Sequence, residues 1–193
     1  MAKRVFFAFY YEDVKSFRAN VVRNHWVTKD DREDAGFFDA SLWESTKKRG
    51  DDAVRSLINS GLDNTSATVV LIGTETYSRR WVRYEIIRSM QRGNRIFGVH
   101  INSIKDKYQY TKIQGPNPFE YLGVRYNSDG TALKIYEFTN AKWQEFADIS
   151  GYSLKNPRPR EQWGNFYQLT KWHATYDWVS DNGYDNFSDW VDK

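Results

Sequence analysis

Three runs of the chain are apolar almost without interruption, and they frame everything between them. Residues 5–10 read VFFAFY, residues 67–72 read ATVVLI, and residues 96–101 read IFGVHI. Runs of this length without polar alternation are expected of strands buried on both faces, as inside parallel sheets. Between the second and third runs the period becomes helical: Val82, Ile86 and Met90 form one stripe that can face a sheet. A strand, a crossover helix and a parallel strand are therefore predicted across residues 65–101.

The flanking segments are read from the same two periods. After the first run, Asp13 can cap a helix with Val14, Phe17, Val21 and Val22 inward. The polar stretch 28–34 predicts a surface loop, and 36–40 a short second strand ending near Asp39. Residues 41–50, SLWESTKKRG, predict a further loop. Residues 51–60 predict a helix with Val54, Leu57 and Ile58 inward and Gly61 as its stop. Beyond residue 102 the alternation weakens, and Pro116 and Pro118 forbid regular ladder pairing in GPNPFEYLG. Residues 134–138 predict a last strand, 142–148 a short helix, and 161–179 a longer helix with Phe166, Leu169, His173 and Tyr176 on one side. The final stretch carries Asp-Trp-Val at 177–179 and again at 189–191. Two copies make no stacked array, so its tryptophans are expected to clamp the C-terminus onto the rest of the molecule.

Composition changes this picture in a few places. At 193 residues the chain is long enough for one domain with an extension, and no linker separates a second. The aromatic share is 17%, with eight tryptophans; most such rings fill cores, but they also line sites that hold flat rings. The net charge of +3 is small and its charges are interspersed, unlike the clustered footprint of a nucleic-acid binder, so no nucleic-acid partner is expected. Without cysteine there is no disulfide, no thiolate nucleophile and no Cys-based metal site. His25, His100 and His173 fall in no ligand pattern, so they are read as structural and no metal is expected. The first apolar run is short and ends at Glu12 and Asp13, which argues against a leader peptide. No stretch approaches the ~20 apolar residues needed to cross a bilayer, so a cytoplasmic protein without membrane contact is expected. Walker and G-x-G-x-x-G loops are absent.

Candidate chemistry centres on Trp81 and Glu85. Spaced i, i+4 on the predicted helix, they share a face one turn apart, so the indole can lean over the carboxylate and keep water from it. They sit near the helix start, past the carboxyl end of a strand, where open α/β sheets place ligands. Pairing of Glu85 with Arg88 at i+3 is the ordinary alternative. Lys47, Lys48 and Arg49 are either solvated surface or, beside a strand's carboxyl end, a pyrophosphate contact.

Taken in order, RVFFAFYYED, FFDASLWESTKKRGDDAVRSLI and TVVLIGTETYSRRWVRYEI resemble Toll/interleukin-1 receptor (TIR) domains. The counterparts of that family's first strand, the Asp ending its second strand, its loop closing on Gly, and the Tyr, Ser, Trp and Glu around its third helix are residues 6–10, Asp39, Gly50, and Tyr77, Ser78, Trp81 and Glu85. Over its whole length, including GPNPFEYLG and the Trp-rich tail, the chain is similar to the TIR proteins of bacterial Thoeris antiphage systems. The resemblance implies a flavodoxin-like α/β fold: a central, mainly parallel five-stranded sheet flanked by helices, a TIR core over about 1–105, and an enlarged aromatic-rich half over about 106–193. It also implies an enzyme that cleaves NAD⁺ at the nicotinamide–ribose bond and closes the product into a cyclic ADP-ribose isomer. The product is then expected to activate a partner NAD⁺-depleting effector, with NAD⁺ as substrate and no cofactor implied.

Matched position by position, the resemblance implies Glu85 as the catalytic residue and Phe6, Tyr10, Tyr11, Asp39, Trp43, Lys48, Tyr77 and Trp81 as substrate-binding residues. Departures from the family are Ala8 where Ser is common, Val82 where Cys is common, and Tyr10 and Tyr11 where some hydrolases carry arginines; Lys47, Lys48 and Arg49 are candidates to meet phosphate instead. One carboxylate suffices for this chemistry. Nicotinamide is a cationic group that departs neutral, so it needs no general acid, unlike an ordinary glycoside with its two carboxylates. Two other readings stay open. One is a non-catalytic TIR scaffold that works by self-association; the other is a module that binds a nucleotide without turning it over.

Overall fold

In the computed structural model, which describes residues 3–193, the three apolar runs form β1 (Lys3–Phe9), β3 (Ala67–Ile72) and β4 (Arg95–His100), side by side and parallel. β3 pairs with β1 through Phe7 and Val69 and with β4 through Val69 and Phe97, and every residue of it is buried. β2 (Arg32–Ala35) joins β1, and β10 (Thr175–Asp177) joins β4, which completes a five-stranded parallel sheet of the flavodoxin-like α/β kind.

Because strand side chains alternate, β1 feeds two cores. Phe6 and Ala8 pack with α4 (Asp51–Gly61) and α5 (Arg80–Arg92), through Val54, Ile58, Val82 and Ile86. Val5 and Phe7 pack on the other face with α2 (Arg18–Val27) and α6 (Gly183–Asp192), through Val22, Trp26, Phe187 and Trp190. Each fully buried Phe contributes about 3 kcal/mol or somewhat less by area. The tail is clamped as expected: Trp178 and Trp190 are buried, and Trp190 stacks on Tyr176 with centroids 4.2 Å apart.

A second, antiparallel sheet follows, ordered β7 (Lys142–Glu145), β6 (Ala132–Thr139), β5 (Leu122–Tyr126), β9 (Phe166–Gln168), with β8 (Gly151–Ser153) pairing the start of β6. Its inner residues Leu122, Val124, Leu133 and Ile135 join the core beneath α5. No helix among the described residues is long and apolar enough to cross a membrane.

Several local expectations are corrected. The second strand is Arg32–Ala35 rather than 36–40, because an edge strand with a half-exposed face keeps charges such as Arg32 and Glu33 that hide it from an apolar search. Residues 41–50 are mostly α3 (Ala40–Lys48) and not a loop. α4 ends at Gly61, its last residue, as expected; a Cβ there would press on Phe6 and Phe38 at 3.0 Å. The helix after β1 breaks at Phe17, whose φ of 63° is left-handed, into α1 (Glu12–Lys15) and α2. That break throws Phe17 outward and turns Arg18 inward, where it donates to the carbonyls of Ile104 (2.8 Å) and Tyr110 (2.7 Å). Asp13 is buried in α1 but caps nothing.

In the second half, residues 134–138 are a central strand of the antiparallel sheet. Residues 142–148 begin as β7 and form no helix, because Asn140 and Ala141 both take positive φ and fold β6 onto β7 as a tight hairpin. The helix expected over 161–179 is absent: that segment holds two 3-10 turns, β9 and β10, broken by Gly164 at φ 69°. Pairing with β5 and β4 overrides a chance helical period there.

Candidate active site

A cleft of about 240 Å³ opens at the carboxyl ends of β1 and β2, walled by the segment after β1, by α3 and by the first turns of α5. Parallel sheets gather ligands at this edge because the loops there are free to vary while the strands hold them in place. Gly36 lines the cleft with φ of 87°; a Cβ would collide with the Phe7 carbonyl oxygen, so the wall comes this close only because the position is glycine.

Glu85 reaches this cleft from α5 while Val82 and Ile86 hold the helix onto the sheet. Its residue is 6% exposed, and Oε2 is buried without a hydrogen-bond partner. Arg88 does not reach it: that guanidinium donates to Asn59 Oδ1 (2.8 Å) and Gln91. Burial alone therefore pushes the carboxyl well above its ordinary 4.5. Trp81 shares the wall, edge-on to Tyr84 at 5.9 Å, with the Arg80 guanidinium over its ring at 4.6 Å. Arg80 is fixed in turn by Asp148, at 2.7 and 2.8 Å, and by Asp51 at 2.6 Å. Asp148 also accepts from Arg55, so the turn after β7 braces α4 and α5 beside the cleft.

The cleft thus holds one shielded acid under an aromatic wall, a device suited to stabilising a cation on a bound ligand. The family description "Thoeris protein ThsB, TIR-like domain" matches residues 6–106 of this chain. A protein of Bacillus cereus (strain MSX-D12), named "Putative cyclic ADP-D-ribose synthase ThsB1", is 56% identical over 191 residues, which is 99% of this chain and 100% of that protein. The chain belongs to the Thoeris ThsB TIR-like family.

Within this ThsB TIR-like chain, the cleft brings together Glu85, Trp81, Tyr10, Tyr11 and Trp43. Tyr10 lies under the Arg79 guanidinium at 3.8 Å, and Trp43 lies parallel to Phe38 with centroids 6.2 Å apart. The remaining four expected residues do not line it. Phe6 is fully buried in the core below, against Gly36 and Gly61. Asp39 caps α3, accepting from the Leu42 amide at 2.8 Å. Lys48 is exposed on α3 and does not line the cleft, and Lys47 takes that position, paired with Glu44 at 2.6 Å. Tyr77 packs on Tyr121 at 4.7 Å and accepts from Arg83 through its carbonyl at 3.0 Å.

Sequence reasoning missed Arg79, Arg80 and Phe38 as lining residues. The Arg-Arg pair just before Trp81, at the opening of a helix that faces a ligand edge, was the available signal for the first two. Phe38 gave none. Among the described residues no group of three or more His, Cys, Asp or Glu side chains could hold a metal ion. The histidines instead sit against rings or in a strand: His25 on Trp178, His173 on Phe119, His100 in β4.

Proposed function

We propose that this chain cleaves the nicotinamide–ribose bond of NAD⁺ and closes the ADP-ribose product into a cyclic ADP-ribose isomer, with Glu85 as the catalytic residue. The observation that carries this is the buried, unpartnered Oε2 of Glu85 in a cleft walled by Trp81 and Trp43. The name of the 56% identical relative supports the product class.

Nicotinamide leaves neutral and takes the bonding pair, so positive charge passes to the ribose carbon. Glu85, ionised as the cationic substrate enters, accepts a hydrogen bond from the ribose and stabilises that charge where water is scarce. A hydroxyl of the same molecule then forms the new bond to that carbon. Its proton goes to Glu85, whose raised affinity for protons suits it to the task. Trp81, Trp43 and Tyr10 favour closure over hydrolysis by keeping water out while the chain folds back.

At about 240 Å³ the cleft is smaller than the roughly 300–1,000 Å³ typical of sites that enclose a whole ligand. It fits the nicotinamide–ribose half, and the phosphates lie across the rim at Lys47 and Arg79. Tyr11 borders the same rim. The cyclic product acts as a diffusible cytoplasmic signal that switches on a partner NAD⁺-depleting effector.

The test is mass spectrometry of nicotinamide and cyclic product, from the purified protein with NAD⁺ and from infected cells that express it. Wild type should form both, and Glu85→Gln should lose at least about a hundredfold, as when a principal electrostatic contact to the transition state is removed. Equal nicotinamide release by the two proteins refutes the assignment.

A further inference from the structure

A second cavity, of about 550 Å³, opens beside the last turn of α5, between that helix and the antiparallel sheet. It shares no lining residue with the first cleft. Its floor is apolar, formed by Met90, Val124, Leu133 and Leu154. Aromatic rings stand around it: Tyr126, Tyr152 and Trp172, the last 40% exposed and set edge-on to Tyr126 at 6.5 Å.

Its charge is one-sided. Arg92, Lys155 and Arg158 line the cavity and no carboxylate does. Arg92 is already paired with Asp63 at 2.8 Å. Lys155 and Arg158 have no ion-pair partner among the described residues, and the Arg158 guanidinium hangs over the Tyr126 ring at 5.6 Å. The wall also holds His173. Burial keeps that imidazole neutral, its pKa lowered to about 4, so it adds neither charge nor counter-charge to the wall.

Rings, an apolar floor and two cations without an ion pair at the rim form a set complementary to a flat heterocycle that bears a phosphate. We propose that this cavity binds a phosphorylated nucleoside, its base among Tyr126, Tyr152 and Trp172 and its phosphate at Lys155 and Arg158. The site is separate from the NAD⁺ cleft and does not depend on the reading of that cleft.

The chain has two methionines, Met1 and Met90, so methyl-¹³C-methionine labelling places a single reporter in this cavity. Titrated with AMP, the full-length protein should show a saturable shift of the Met90 methyl with a Kd of about 1 mM or below. Adenosine and inorganic phosphate should each bind at least about tenfold more weakly, because each keeps only half of the contacts. Lys155→Gln with Arg158→Gln should weaken AMP at least about tenfold; both side chains are exposed, and an unchanged ligand-free Met90 resonance certifies the fold. Trp43→Ala, in the other cleft, should leave the Met90 titration as in wild type. An unmoved Met90 methyl overturns the proposal. So does adenosine or phosphate equalling AMP, a titration that survives the double substitution, or one that is lost in Trp43→Ala.

Discussion

Glu85 is buried where no cation or side-chain donor partners Oε2, and its pH dependence follows from that. The folded chain binds its proton more tightly than the unfolded chain does, because burial raises the pKa from 4.5. The stability tied to this group is therefore complete below pH 4.5 and declines as pH rises toward the folded value. Asp13 behaves alike, raised to about 6 by burial against the opposing pull of Lys112 and Arg18, so wild-type melting curves mix the two. Subtraction separates them. Glu85→Gln should melt above wild type at pH 8, by about 2–4 °C for each kcal/mol of removed desolvation cost, and the difference should vanish below pH 4.5. An advantage that persists at pH 4 would mean that Gln simply packs better. If Glu85 has the proposed role, the same proton governs catalysis, and kcat/KM for NAD⁺ cleavage should rise with pH through an apparent pKa above 4.5, measured as initial nicotinamide release. A profile flat from pH 5 to 9 contradicts the assignment of Glu85 as the ionised group.

Asp39 shows how a residue matched by resemblance can act through its element instead of by contact. Its side chain closes the first turn of α3, and α3 carries Trp43 and Lys47 into the cleft. Asp39→Ala should cost about 1 kcal/mol and raise KM for NAD⁺ more than it lowers kcat, because the wall frays while Glu85 is untouched. Asp39→Asn keeps the cap and should stay near wild type in both melting and kinetics; a large loss in Asn would show that the charge itself meets substrate. The helix was illegible in the sequence because α3 buries little besides Thr46 and part of Trp43, so no apolar stripe marks it. Reading it as a loop also hid the register. On a helix, neighbouring residues point about 100° apart, which is why Lys47 and not Lys48 faces the cleft. α5 was legible because Val82 and Ile86 bury a genuine stripe, and the Trp81–Glu85 spacing inherits its geometry. Phe6 was misplaced for a different reason: it faces the same layer as Glu85 but lies three residues short of the carboxyl end of β1, so its ring packs in the core and Phe9 is the strand residue that lines the cleft.

At the scale of the molecule, the parallel frame was readable because strands buried on both faces write themselves as continuous apolar runs, whereas the second sheet was not. β7, β8 and β9 are short and half-exposed, and β9 pairs with β5, far away in sequence. The same distance in sequence binds the two halves together. β10, near the end of the chain, closes the edge of β4, and α6 lays Phe187 against Phe7, Trp26 and Phe97 at 5.7–6.3 Å. On the other face, Leu122, Val124 and Ile135 cover the core that α5 presents. A TIR-like segment ending at residue 105 thus lacks one strand and the cover of both layers. It should bind a hydrophobic dye, give a collapsed amide spectrum and show no cooperative melt, although every segment that first suggested the family is present. In the full chain, Phe187→Ala should cost about 3–5 kcal/mol in urea unfolding with a single transition, because removing that ring opens a cavity against β1, α2 and β4 at once. A dispersed spectrum and a sharp melt from residues 1–105 alone, or a two-step unfolding of Phe187→Ala in which only the C-terminal half is lost first, would show instead that the parallel sheet stands without the half that follows it.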